Sequence, residues 1–318
     1  MIVDLHSDFP ADLLYRRRRG ETAPLHDVWL PRWRAAGVVL VVGAVFVENV
    51  FVNQAQAHAL EMVRYVLGEC TGSTDIALAR TFGEIQAAMA SGRVAVLLSL
   101  EGAEPLRNLS DLELFYSMGV RLLGLTWSRP GPAGHGNTFD AAAPQSQEGL
   151  TGFGRSLVRR CEELGVIVDV SHLNDAGFLD VDRLATKPYI ASHSNSRAVW
   201  GSPRNLTDAQ AARIAERGGL IGLNAVNIIS GPDGLTPHAG HWRSLFGTEA
   251  AACGFDFGEY VQYYEELRPG EEPSFDIIPG YPGIAAWGEE LRALGWGTDE
   301  IDRLLGGNAM RFFERWLT

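Results

Sequence analysis

The sequence predicts a single (β/α)8, or TIM, barrel, and three observations carry that prediction. Eight short apolar runs of β character begin near residues 2, 38, 94, 120, 166, 188, 219 and 253, most of them followed by sequence with helical spacing. No linker or low-complexity tract divides the 318 residues, so one domain is expected over 1–318, with extra C-terminal helices from about residue 284. Histidines and carboxylates stand at the C-terminal ends of the runs, the end at which such barrels carry out chemistry.

The first run, Ile2 to Leu5, ends in His6-Ser7-Asp8. Strand side chains alternate, so His6 and Asp8 share a side, joined by Asp4 if the strand stays regular. An H-x-D pair there offers one nitrogen and one oxygen to a borderline metal such as zinc. Residues 37–46 (GVVLVVGAVF) form a nearly continuous apolar run, the pattern of a parallel strand buried on both faces. Helical spacing follows at 53–67 and 81–89. The run at 94–100 (VAVLLSL) delivers Glu101 and Gly102. A carboxylate at the end of a buried strand is costly unless paired or metal-bound, so Glu101 reads as a ligand, with a salt-bridged loop glutamate as the alternative. After a short helix at 112–118 and a strand at 120–126, the chain opens into a Gly/Pro-rich segment, 127–147, that contains His135. A loop of this length inside a compact domain is usually functional. His135 is placed either to contact substrate or to be an ordinary loop histidine.

An amphipathic helix at 151–164 leads into the stretch GVIVDVSHLNDAGFLDVDRLATKPYIASHSNSR, residues 165–197. Its two apolar runs, 166–170 and 189–191, each end in Ser-His and are separated by helical sequence, which describes a βαβ unit with parallel strands. His172 and His193 then emerge at one sheet edge, where they either share a metal or merely cap their strands. Arg204 follows, in a strand-to-helix loop ahead of an N-cap at Thr207 or Asp208. Arg204 is either a bidentate grip on a substrate carboxylate or a surface arginine. A strand at 219–224 precedes helical sequence at 241–251 and a last strand, 253–258, holding Asp256. Two helices close the chain, the second with Thr298 as its expected N-cap and Glu300 close behind.

Bulk properties narrow the function. The 46% hydrophobic and 21% charged composition is that of a soluble globular protein. A net charge of −12 argues against nucleic acid, since the one basic run is Arg16 to Arg19, read as a solvated face or an anion site. No apolar run is long enough to span a bilayer, and MIVDLHSDFP lacks the basic and apolar regions of a secretory signal, so a cytoplasmic protein is expected. Cys70, Cys161 and Cys253 read as free thiols.

With these pieces assembled, the chain resembles the renal (membrane) dipeptidase family of zinc peptidases, a branch of the amidohydrolase-like, metal-dependent hydrolase barrels. The ordered set DLHSDFP, LEG at 100–102, PQSQEGLTGFG at 144–154, GVIVDVSH, SHSNSR, RNLTD, GFDFG and GGNAMRFFE carries the resemblance nearly end to end. It implies two zinc ions per chain. His6 and Asp8 bind the first, His172 and His193 the second, and Glu101 bridges them, with a bridging hydroxide as nucleophile. It also implies that Asp256 manages the proton, that Arg204 binds the C-terminal carboxylate of a small dipeptide, and that a homodimer is one available assembly. Two departures stand out: Trp127 occupies the substrate-contacting position where mammalian members have a histidine, and Asp256 lies in Gly-Phe-Asp-Phe-Gly rather than beside a second aspartate.

Three readings remain at this point: a zinc dipeptidase, including one that accepts a D-residue at the C-terminal position; a binuclear hydrolase of another small amide, lactam or N-acyl amino acid; and a barrel that binds small peptides without catalysis. The ligand set His6, Asp8, Glu101, His172 and His193 weighs against the third, because an inert barrel has no need to keep buried carboxylates and imidazoles together.

Overall fold

The computed structural model describes residues 1–258 and 276–318. Its strands β1 (Ile2–Ser7), β2 (Val38–Phe46), β3 (Ile76–Leu78), β4 (Val94–Glu101), β5 (Val120–Gly124), β6 (Ile167–Asp169), β7 (Ile221–Leu223) and β8 (Ala251–Cys253) all pair in parallel. The order β1-β2-β4-β5-β6 continues through residues 190–191 to β7 and β8. The ring closes where the Asp256 N–H bonds the His6 carbonyl at 3.1 Å. This is the (β/α)8 barrel that the pattern of runs predicts.

Alternation along the strands sorts the core into two layers. Val3, Leu5, Leu40, Val42, Ala95, Leu97, Leu122, Ile167, Ile190, Leu220 and Ala252 pack together inside the ring. Their strand neighbours Val41, Val45, Val96, Leu98, Leu123 and Val168 pack outward with the helices. Burial on both faces is why these runs read as continuously apolar. Ala309, Phe312 and Phe313, from the final helix Asn308–Trp316, join the inner cluster.

Three expectations need correction, and one strand was not expected. The run near 188 is not a regular strand: it forms only the bridges Asp169↔Ile190 and Ala191↔Ile221. Pro188 has no N–H to offer, and the pairing is confined to Ile190 and Ala191, whose backbone groups bond Val168, Val170, Leu220 and Gly222 at 2.8–3.0 Å. The strand β3 had no expectation attached; it covers the first half of β4, on the side that β5 takes over from Leu98. The last strand ends at Cys253, short of Asp256, whose φ of 56° lies outside the extended conformation. The helix expected at 241–251 is Thr236–Phe246, stopped by Gly247 at φ 77°.

Local signals elsewhere hold. Thr151, Asn174 and Thr207 cap the helices Gly152–Leu164, Asp175–Leu184 and Asp208–Glu216, and Gln210 completes a capping box with Thr207. At Thr298–Asp302 the cap is Gly297 rather than Thr298, with Glu300 accepting the Gly297 N–H at 2.8 Å. Arg16 pairs with Asp12 and Glu21, and Arg18 with Glu61, so these members of the basic run are neutralised by the fold. The three cysteines are free and buried. No helix among the described residues is long and apolar enough to cross a membrane.

Candidate metal centre

β1 brings the first pair of ligand candidates. Its register against β2 slips between Asp4 and Ser7, so the regular alternation expected for Asp4, His6 and Asp8 is broken. Asp4 turns away to tie the barrel together. It accepts the His6 N–H at 3.2 Å, the Phe255 N–H at 2.9 Å and the Tyr281 hydroxyl at 2.6 Å, and burial raises its pKa to about 6. His6 faces the top of the barrel instead. Its Nε2 is buried with no hydrogen-bond partner among the described residues. Three carboxylate oxygens nevertheless surround it, from Glu101 at 3.4 Å, Asp8 at 3.7 Å and Asp256 at 3.9 Å.

β4 carries Glu101 in phase with the inward-facing Ala95 and Leu97, which places its carboxylate at the centre. Oε2 faces His6, while Oε1 lies 2.9 Å from His172 Nε2 and 3.4 Å from His193 Nε2. The two imidazoles meet at 2.9 Å, Nε2 to Nε2. His172 follows β6 with φ 67°; it and Asp256 are the non-glycine described residues with left-handed backbone. Such conformations cost about 1–3 kcal/mol each and concentrate at functional sites.

Asp256 lies beyond β8, with Asn224 Nδ2 donating to its Oδ2 at 2.9 Å. Arg204, 2% exposed, is no surface arginine. Its Nε donates to His172 Nδ1 at 3.1 Å, Nη1 to Ser194 Oγ at 2.7 Å and Nη2 to the His193 carbonyl at 2.8 Å. Trp127 stands beside His172, with ring centroids 5.8 Å apart, and between Phe46 and Phe139 at 5.1 and 5.8 Å. His135 is held in its loop by Glu148, at 3.0 Å, and does not join the cluster.

Burial opposes charge on every group here, and neighbours decide the outcome. Burial disfavours charged His6, but Glu101, Asp8 and Asp256 outweigh it and raise its pKa well above the usual 6.5. Burial likewise disfavours ionised Glu101, yet the three imidazoles hold it well below the ordinary carboxylate range. Burial, then Arg204, pushes His172 down to about 3; burial, then His6 and Arg204, pushes His193 well down. Asp256 is raised well above its ordinary value by burial, reinforced by Asp8 and Glu101 against the pull of His6.

This donor set fits a metal. His6, Glu101 and His193, and again His6, Asp8 and Asp256, place ligand atoms within 4.8 Å of one another. Nitrogen and carboxylate oxygen together suit zinc, and also manganese or cobalt. The carboxylate oxygens around the unbonded His6 nitrogen sit beyond hydrogen-bond reach but at separations natural for donors sharing a cation. The residues beneath the ligands, Asp169, Ser192, Ser128 and Asn224, were not anticipated. Asp169 carried a usable signal, as a carboxylate ending a buried apolar run like Glu101.

A family model described as Membrane dipeptidase (Peptidase family M19) matches residues 1–316. The chain belongs to the membrane dipeptidase family. Among solved structures, a dipeptidase AC, a metallopeptidase of family M19, is 31% identical, with a TM-score of 0.86 over 100% of this chain and 99% of that one. A metallopeptidase from Rhodobacter sphaeroides, liganded with a phosphinate mimic of the dipeptide L-Ala-D-Ala, is 30% identical, with a TM-score of 0.85 over 99% of both chains. Dipeptidase 3 from Homo sapiens is 27% identical over 99% of this chain, which spans 64% of that relative's length. Against an uncharacterized protein of Acinetobacter calcoaceticus, 37% identical over 154 residues, the match covers about half of each chain, 48% and 49%. Membership in the membrane dipeptidase family makes this a metallo-dipeptidase by class, with a His/Glu/Asp cluster where such an enzyme needs one.

Proposed function

We propose that the chain hydrolyses the amide bond of small dipeptides with two zinc ions, His6 and Asp8 holding one, His172 and His193 the other, and Glu101 bridging. The observation that carries this reading is the split of the Glu101 carboxylate, one oxygen toward His6 and the other toward the His172–His193 pair. Bound at these residues, the metals would supply Lewis acidity, acidifying the attacking water and polarising the scissile carbonyl. The chain's own residues do the rest. Asp256, 3.9 Å from His6 and held by Asn224, takes the proton from the attacking water when ionised and returns it to the leaving amine. Arg204 uses three of its five N–H donors internally, which leaves two for the substrate's C-terminal carboxylate; burial lowers its pKa only to about 10, so it stays charged at neutral pH. Trp127 and His135 belong to the substrate side of the site.

The ligand of the Rhodobacter sphaeroides relative supports a D-residue at the C-terminal position as an accepted substrate. The second reading, another small amide, lactam or N-acyl amino acid, is favoured by one feature: Trp127 and Phe139 stand beside His172, with Phe46 against Trp127, and give aromatic surface where mammalian members have a histidine. Comparing kcat/KM for L,D- and L,L-dipeptides with that for N-acyl amino acids separates the two. Dipeptides should be preferred by at least tenfold; a reversed order would transfer the proposal to the second reading. Action in the cytoplasm on free dipeptides, as a monomer or homodimer, completes the proposal.

A further inference from the structure

Beneath the ligand histidines lies a buried group that the proposed chemistry does not use. Asp169, at the end of β6, accepts three hydrogen bonds: Oδ1 from the Ser171 N–H at 2.9 Å and the Ser192 N–H at 3.0 Å, and Oδ2 from the Ser192 hydroxyl. A carboxylate can only accept, so the hydroxyl hydrogen of Ser192 is committed to it. Ser192 Oγ then has only lone pairs left for His193 Nδ1, 2.7 Å away. His193 must therefore carry its hydrogen on Nδ1 and leave Nε2, the atom facing Glu101 and His172, as a lone pair.

The contacts from the other side demand the same assignment. A guanidinium only donates, so Arg204 Nε gives its hydrogen to His172 Nδ1. His172 then holds its hydrogen on Nε2 and donates at 2.9 Å toward His193 Nε2 and Glu101 Oε1, a hydrogen that ligation through that nitrogen would have to displace. The result is one directional chain, Arg204 to His172 to His193 to Ser192 to Asp169, in which each contact has one donor and one acceptor. The second lone pair of Ser192 Oγ faces His6 Nδ1 at 3.4 Å, and the rings of His6 and His193 stack with centroids 3.6 Å apart. Backbone packing fixes the serine. Gly222 and Gly254 both press on its carbonyl, and a Cβ at either would stand 1.8 Å from that oxygen.

We propose that Asp169 and Ser192 form a positioning pair that fixes the hydrogen of His193 on Nδ1 and aims its Nε2 lone pair, together with that of His6, at the metal centre. This inference rests on the metal-centre reading above. Partners of this kind typically govern metal affinity by 10–100-fold.

The decisive variant is Asp169→Asn. Its amide oxygen must keep accepting the two backbone N–H groups, so its NH2 falls on Ser192 Oγ and donates there. The serine hydroxyl then has to turn toward His193 Nδ1, and the imidazole hydrogen moves to Nε2. Long-range nitrogen–carbon-hydrogen NMR on 15N-histidine protein, freed of metal with chelator, reads the tautomer directly. Zinc titration against a competing chelating dye reads affinity, and circular dichroism reads folding. The expected results are an Nδ1–H His193 in the wild type, an Nε2–H His193 in Asp169→Asn, and a 10–100-fold loss of zinc affinity with the spectrum retained. Ser192→Ala should lose affinity without imposing Nε2–H. Wild-type protein that binds zinc yet shows Nε2–H at His193 would overturn the positioning pair alone, even should the variants fail to fold. A folded Asp169→Asn with wild-type zinc affinity would overturn it too. Wild-type protein with no zinc affinity would instead overturn the metal-centre reading, and the pair's role with it.

Discussion

Glu101 and Asp256 are both buried carboxylates within reach of His6, yet their surroundings set them apart. Glu101 is held ionised by three imidazoles, whereas Asp256 is driven toward its protonated form by burial and by its acidic neighbours. They should fail differently when changed. Glu101→Ala removes the one group that faces both halves of the cluster, so zinc content and turnover should fall together. Asp256→Asn keeps the Asn224 contact within reach and removes only the proposed proton acceptor; zinc content should stay at the wild-type value while kcat drops about 10²–10⁴-fold. Elemental analysis beside steady-state kinetics checks both, and an active Asp256→Asn would remove that residue from proton transfer. At this scale most of the cluster was legible, because histidines and acids at strand ends have few other reasons to be there. Asp169 was legible only as a carboxylate ending a buried run and Ser192 not at all, since their value lies in the direction of a hydrogen bond that no spacing encodes. The loop residues were legible only as candidates: Trp127 lies in the site, while His135 pairs with Glu148.

At the level of elements, the legible strands were those buried on both faces, β2 and β4 above all, where the strand is nine or eight residues long. β3 escaped because three residues, two of them only partly buried, leave no period to detect. The run near 188 misled in the opposite sense: Tyr189, Ile190 and Ala191 are apolar and buried, but only two of them bridge to neighbouring strands. Helix starts were more reliable where a cap is chemical rather than positional. The helix Leu109–Met118 shows the energetics. Asn108 caps it by accepting the Asp111 N–H at 3.2 Å, and the Arg107 backbone and guanidinium clamp the Asp111 carboxylate at 2.9–3.1 Å. The Arg107 side chain, foremost, lowers the Asp111 pKa from 3.8 to about 2. A depressed carboxylate contributes its stability above the unfolded pKa and loses it as pH falls through the folded one. The melting-temperature gap between wild type and Asp111→Asn should therefore be full at about pH 6 and shrink as pH falls from about 4 toward 2. A gap that widened on acidification would contradict the clamp.

Across the whole molecule, the proposed function depends on closing the ring, since His6 comes from the first strand and Asp256 from just beyond the last. Asp4 makes that closure, joining β1 to Phe255 after β8 and to Tyr281 in the helix Gly280–Ala293. Tyr281→Phe strips one donor from a buried carboxylate and should cost about 1–3 kcal/mol while leaving the ligand set in place. We propose that residues 1–318 unfold as one domain, so calorimetric and spectroscopic transitions of the wild type should coincide and shift together in Tyr281→Phe. Two separate transitions would divide the chain. The barrel and its top-face cluster were legible from the order of runs and the chemistry at their ends, whereas the closure through Asp4 was not, because it depends on a register slip in β1. The most direct measurement for the central claim is zinc per chain, by elemental analysis of protein purified without chelator and supplied with zinc. Close to two ions per chain, accompanied by dipeptide turnover, is the expected result. Zinc-replete protein with one ion or none would contradict the binuclear site that Glu101 is placed to bridge.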